Sequence, residues 1–247
     1  MATRPAVIKA AQTYMERGLG DHDFKRVALT KNARRIENGW DTGHDAVSLR
    51  AASADWSSQW STRIHKWVVQ GNYAVAISDL WVGARWVYTS HCFKIKENKI
   101  DELVLNLWMP AAPRNSVGIG PLLPKATRPK APAAAVVQTF LTGLERGDLS
   151  KAKLAGDVSV LENGVLKAIT REASLKHWKD TWLGKVRGVR VMKWLVEGPD
   201  VIAIYEAQMA GGPPVWVTHY FRVYDGLIRE SQANFGVGPS PADRAAK

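Results

Sequence analysis

The sequence predicts an α+β protein made of two tandem copies of one domain. Three observations predict it: a strand written twice, an element order that repeats, and a proline-rich stretch between the copies. Ser90-His91-Cys92-Phe93-Lys94-Ile95 returns as Thr218-His219-Tyr220-Phe221-Arg222-Val223. Ile36-Glu37-Asn38-Gly39 returns as Leu161-Glu162-Asn163-Gly164, 125 residues on, while His91, Glu102 and Asn106 return as His219, Glu230 and Asn234, 128 residues on. Loops absorb a drift of that size, as in an old duplication. Residues 111–131, with Pro113, Pro121, Pro124 and Pro129, read as a linker between domains 1–110 and 132–247.

Each half opens with an amphipathic helix. Val7, Ile8, Ala11, Tyr14 and Met15 fall on one helical face over residues 6–17, matched by residues 133–145. Gly18, Gly20 and Asp21 end the first, and Gly147 and Asp148 end the second. A short helix over 23–29 leads to a strand that ends at the Glu-Asn-Gly turn. A third helix is expected over 45–60, its partner over 171–183. Trp56 and Trp60, like Trp178 and Trp182, are four apart and share a helical face. Four strands follow: 63–70, 73–82, 86–96 and 99–108, then 190–197, 201–209, 215–224 and 227–235. Gln70-Gly71-Asn72 and Tyr224-Asp225-Gly226 are hairpin turns. Helices followed by an antiparallel meander give a curved antiparallel sheet wrapped around a long helix.

Composition narrows the function classes. A hydrophobic share of 46% and a charged share of 23% exclude a disordered chain. No run approaches the roughly 18 apolar residues of a membrane span, and residues 1–9 lack the apolar core of a signal peptide. The single cysteine, Cys92, excludes an internal disulfide and suits the reducing cytoplasm. A net charge of +11 suits either nucleic acid or the attraction of anionic metabolites. The cations are scattered and no nucleic-acid motif is present, so the second is preferred. Eleven tryptophans suit a pocket for flat apolar rings, although any one of them also serves a core.

The element order resembles the nuclear transport factor 2-like, or SnoaL-like, superfamily in two copies. The likeness rests on the opening helix, the Glu-Asn-Gly turn and the last-strand segments Asn98-Lys99-Ile100-Asp101-Glu102-Leu103 and Gly226-Leu227-Ile228-Arg229-Glu230-Ser231. It implies two cone-shaped α+β barrels, each with a pocket between helix and concave sheet. Its enzymes commonly work there without metal or organic cofactor. They include ketosteroid isomerases, scytalone dehydratase, epoxide hydrolases, polyketide cyclases and lyases acting on lignin-derived diaryl compounds, beside non-catalytic transport domains. Fold alone does not choose among these.

Alternation along the strands supplies candidates. His91, Phe93 and Ile95 share one face, as do His219, Phe221 and Val223. Neighbouring strands are expected to add Asp79 and Trp81, then Glu102, Asn106 and Trp108, in the first half. Glu206, Glu230 and Asn234 do so in the second. A carboxylate in an apolar cone can orient a histidine as a general base, and an asparagine can donate to an oxyanion. Tyr14 stands where the second copy has Phe140, as an acid or a packed core ring. Arg63 and His65 begin a strand and reach either substrate or solvent. Asn38 and Asn163 satisfy their turns. Tyr220 and Tyr224 face the convex side, a surface for domain or subunit contact. No nucleophile elbow, phosphate loop, dinucleotide fingerprint or metal motif is present.

The expectation is therefore a cofactor-independent lyase, losing water or a fragment such as formaldehyde from a hydrophobic aromatic substrate. The fragment-loss step is implied by the resemblance. His91 is the expected base, Asp79 its partner, Tyr14 an acid or anchor and Asn106 an oxyanion donor, with His219 and Glu206 as the second set. Arg63, His65, Trp81, Glu102, Trp108 and Asn234 line the substrate. No cofactor or metal is expected, and convex sheet faces are candidates for homo-oligomer contact. The alternatives are an isomerase, cyclase or hydrolase in the same pocket, or a non-catalytic binder of a small molecule or nucleic acid.

Overall fold

The computed structural model describes residues 3–54, 60–82, 85–107, 118–119, 125–127, 129–240 and 243. The chain divides into two compact units, Met1–Leu122 and Leu123–Lys247. Most of residues 111–131, the expected linker, lie outside the described residues, as do Trp56 and Trp108.

Unit one begins with α1 (Arg4–Gln12), which continues without a break into a π-helical segment, Thr13–Gly20. A 3₁₀ turn at Phe24–Arg26 replaces the short helix expected there. Then come β1 (Leu29–Glu37), β2 (Trp40–Gly43), α2 (Ala46–Ala54), β3 (Trp60–Gln70), β4 (Tyr73–Val82), β5 (Arg85–Lys96), β6 (Lys99–Leu107) and β7 (Gly118–Ile119). The sheet runs β3-β4-β5-β6-β1-β2-β7. Its meander is antiparallel as expected, but β1 joins β6 in parallel, so the sheet is mixed. Trp60 opens β3, so the helix expected over 45–60 does not reach it.

Unit two repeats the plan with α3 (Pro132–Arg146), β8 (Leu154–Glu162), β9 (Val165–Ala168), α4 (Arg171–Thr181), β10 (Val186–Glu197), β11 (Asp200–Met209), β12 (Val215–Tyr224) and β13 (Leu227–Val237). Its order is β10-β11-β12-β13-β8-β9, with β13 and β8 parallel. α3 stops at Gly147, whose φ of 71° is the left-handed conformation that glycine adopts at least cost.

The Glu-Asn-Gly segments are tight hairpins. Asn38 and Gly39 have φ of 47° and 86°, and Asn163 and Gly164 have φ of 46° and 78°. Two successive positive φ values match the strand twist and explain why Asn-Gly stands at both places. The asparagine does more than close its own turn. Asn38 donates through Nδ2 to the Leu107 carbonyl at 2.9 Å and accepts from Leu107 N at 3.2 Å. Asn163 accepts from Phe235 N at 2.9 Å. These bonds tie the β1 and β8 ends to the last meander strand and fix where Glu37 and Glu162 point.

Each concave face packs on its opening helix. In unit one, Val7, Ala11, Tyr14 and Met15 meet Ala74, Ala76, Phe93 and Leu103. In unit two, Phe140 contacts Trp178 and Phe221 with ring centroids 4.8 and 5.4 Å apart. Among the described residues no helix is long and apolar enough to cross a membrane.

Candidate functional site

Cross-strand register decides which side chains meet His91. On β4 its partner is Ala76, on β6 Leu105, and Leu105 in turn pairs with Glu37 on β1. Ala76, His91, Leu105 and Glu37 therefore form one row on the concave face, since directly paired residues point the same way. The next row is Ala74, Phe93, Leu103 and Arg35. The helical layer above them supplies Tyr14, whose ring centroid lies 5.9 Å from His91 and 5.7 Å from Phe93. Tyr14 sits in the π-helical segment, a local geometry often found at functional sites.

Arg35 is held from two sides. Its Nε donates to Thr42 Oγ1 at 2.8 Å and its Nη1 to the Tyr14 hydroxyl at 3.3 Å. Glu37 is fully buried, with Oε2 3.9 Å from Arg35 Nη2. That separation allows attraction without a hydrogen bond. Neither Glu37 oxygen has a hydrogen-bond partner, nor has His91 Nε2, among the described residues. His91 Nδ1 lies 3.5 Å from Thr89 Oγ1. Buried polar groups are seldom left in this state, and these three atoms lie on one concave face.

The electrostatics follow from burial. Loss of water pushes the Glu37 carboxyl above its usual range, and Arg35 offsets only part of that rise. Arg35 also loses hydration, yet Tyr14 and Glu37 hold it above its ordinary value, so it stays a cation. Desolvation, aided by Arg35, lowers His91 to about 3. At neutral pH His91 is an uncharged imidazole and a weak base. That counts against its expected role as the proton acceptor.

The expected acid partners are elsewhere. On β4, Asp79 pairs with Tyr88 and Trp81 with Trp86, on the face opposite His91. On β6, Asn106 pairs with Ser90 and Glu102 with Lys94, again on the opposite face. Alternation along each strand was read correctly; the phase between strands was shifted by one residue, and that flips a whole set of side chains. Asp79 instead accepts from Arg63 Nη2 at 2.6 Å and lies 2.9 Å from His65 Nε2. A β-bulge between Ile64 and Lys66 carries His65, which stacks on Tyr88 at 5.5 Å. Arg63 lies 4.8 Å above the Trp86 ring. Arg63, His65, Asp79 and Trp81 thus form a separate cluster. Trp108 lies outside the described residues.

Unit two keeps the histidine and glutamate but satisfies both. His219 Nδ1 lies 3.0 Å from the Tyr205 hydroxyl and Nε2 lies 2.7 Å from Ser231 Oγ. Burial lowers His219 to about 3. Glu162 Oε1 accepts from Trp182 Nε1 at 2.7 Å and lies 3.1 Å from His177 Nε2. The small cavity among Glu162, Trp182, Tyr205, His219 and Ser231 measures about 10 Å³, room for one water molecule. Val160 stands where unit one has Arg35, and Phe140 where it has Tyr14. Glu206 and Asn234 lie on the face away from His219, paired with Trp216 and Thr218. Glu206 there accepts from Trp216 Nε1 at 3.1 Å and from Gln208.

Sequence reasoning missed Arg35, Glu37 and Thr42. Glu37 was legible only as part of a turn, although its return as Glu162 was a signal equal to the repeated histidine.

With this geometry in hand the comparisons are brief. Each half sets its opening helix against a mixed sheet in which the last meander strand pairs in parallel with the first strand. Residues 1–105 match a family model described as a domain of unknown function, DUF8021. No curated protein matches the chain. Among solved structures, an NTF2-like protein of unknown function from Cytophaga hutchinsonii is similar at 14% identity and a TM-score of 0.38, covering 43% of this chain and 94% of that one. An LEH-like epoxide hydrolase from M. tuberculosis is similar at 15% identity and a TM-score of 0.36, covering 42% and 83%. An NTF2-like protein from Burkholderia xenovorans is similar at 12% and 0.35, covering 42% and 91%.

Proposed function

We propose that unit one is a cofactor-independent acid–base enzyme acting on a small hydrophobic molecule, with Glu37 as the proton acceptor. One observation carries the reading: a fully buried carboxylate with neither oxygen hydrogen-bonded among the described residues, 3.9 Å from a buried arginine. A base in an apolar site has its pKa raised toward the working pH, which is what proton abstraction needs. Arg35, pinned by Thr42 and carrying the Tyr14 hydroxyl, is placed to favour negative charge developing on a substrate oxygen. Neutral His91 offers Nε2 for a hydrogen bond without adding charge. The closed set around His219 supports a structural role for unit two.

The finer reading is a lyase, in which loss of the proton is followed by loss of water or a small carbonyl fragment. The same residues serve an isomerase, cyclase or hydrolase, and the products separate these. The test is Glu37→Gln on the full chain, with turnover of hydrophobic aromatic alcohols and ketones followed by mass spectrometry. Turnover should fall by roughly 10²–10⁴-fold, the usual worth of a general base. A folded Glu37→Gln protein that turns over at the wild-type rate removes the reading.

A further inference from the structure

We infer that the molecule taken by unit one is a neutral compound with two hydroxyl or amide groups on an apolar frame, one donating to Glu37 and the other bonded to His91 Nε2. This rests on the acid–base reading above and names the ligand class of that same site. Unit two shows what these two side chains take when the chain supplies it. His219 Nε2 has the Ser231 hydroxyl at 2.7 Å, and Glu162 Oε1 has the Trp182 indole N–H at 2.7 Å. The indole donates to its carboxylate, whereas the serine hydroxyl donates to His219 or accepts from it according to the tautomer; His177 Nε2 also lies 3.1 Å from Glu162 Oε1.

In unit one the same positions are bare. Register places Ser231 beside Phe221 and Leu103 beside Phe93, so Leu103 stands where the second half has its serine. A leucine offers His91 Nε2 nothing. Glu37, the counterpart of Glu162, has no hydrogen-bond partner on either oxygen among the described residues. His91 and Glu37 are separated by Leu105 alone, two strand spacings or about 10 Å between Cα atoms. One small molecule spans that gap. Its frame meets Phe93, Leu103, Leu105 and the Tyr14 ring, all buried and apolar along their faces.

Charge narrows the class further. Arg35 is already balanced by Glu37, so an anionic ligand brings a second negative charge beside a carboxyl that burial disfavours ionising. A ligand with acceptors only leaves Glu37 as it is. A neutral diol or hydroxy-amide satisfies both Glu37 and His91.

The experiment uses three compounds on one ring: 1,4-benzenedimethanol with two donors, terephthalate with two charges and 1,4-dimethoxybenzene with acceptors only. Binding to the full chain is followed by calorimetry and by amide shifts of β1, β5 and β6. The diol should bind at least about tenfold more tightly than either other compound, the difference one buried hydrogen bond makes. Leu103→Ser installs the hydroxyl that unit two uses. It should weaken the diol about tenfold, and the melting temperature should fall because a fully buried leucine gives up three carbons for one hydroxyl. If Leu103→Ser does not fold, Leu103→Thr, nearer in volume, takes its place. Preference for terephthalate, equal binding of all three, no binding at millimolar concentration, or an unchanged diol affinity in the serine variant overturns the inference. Failure of the acid–base reading looks different: the diol preference survives while Glu37→Gln leaves turnover untouched.

Discussion

Arg35 and Glu37 lie two residues apart on β1, both buried on the same face, with 3.9 Å between Nη2 and Oε2. They attract each other but share no hydrogen bond. Desolvating such a pair costs several kcal/mol, and without good geometry the attraction does not repay it. The pair therefore lowers stability, and the sign of its pH dependence follows. A carboxyl raised in the folded state binds its proton more tightly there than in the unfolded chain. Stability is then greatest below the ordinary carboxyl pKa and falls as pH rises through the folded value.

Glu37→Gln should remove that loss. Above pH 5 the variant should melt at the same temperature as wild type or higher, and the gap should widen with pH. Calorimetric scans between pH 4 and 8 measure it. A Glu37→Gln protein that melts lower at every pH means the carboxylate is held by bonds not seen here.

Thr42 is a positioning residue for Arg35. Thr42→Val keeps the shape and removes the oxygen at 2.8 Å from Nε. Turnover should fall about tenfold with little change in KM, and Thr42→Ser should restore most of it. Equal kcat in the valine and wild-type proteins counts against Arg35 as the oxyanion partner.

The two histidines should stay neutral well into acid. His91 and His219 both sit at about 3, each chiefly through loss of water. The unfolded chain takes up these protons near pH 6.5, and the folded chain does not. Stability is thus full above pH 6.5 and falls by up to about 1.4 kcal/mol per pH unit per histidine on acidification toward 3. Imidazole nitrogen shifts measured from pH 8 to 5 should show no titration at either position. A midpoint near 6.5 for His91 restores it as a candidate base.

Asp79 should matter little to chemistry. Asp79→Ala releases Arg63, itself largely exposed, and His65. The expected cost is about 1 kcal/mol of stability, typical of a pair with one solvated partner, and turnover should be unchanged. A large loss of activity with intact folding returns the Arg63 cluster to the substrate site.

The duplication, the meander and both turns were legible because each leaves a local mark: a repeated motif, a period-two pattern, an Asn-Gly pair. The walls around His91 were not. Whether Ala76 or Asp79 stands near it depends on pairing between strands, which the hairpins and the bulges near His65 and Lys94 set. Glu37 and Arg35 reach the site only because β1 joins β6 in parallel, across a separation of about 70 residues. In unit two, Glu206 was misplaced for the same reason as Asp79. Tyr14 was found because a helical face can be read from spacing alone.

A π turn holds about one residue more than an α turn, so Thr13–Gly20 is wound more loosely than the α1 turns before it. Each residue of a helix advances the next by about 100°, so removing one swings every later side chain to a new bearing. The phenol itself owes nothing to the extra residue: Phe140, on an ordinary α-helix, holds its ring 5.8 Å from His219, as Tyr14 does 5.9 Å from His91, so only side chains after Tyr14 would turn.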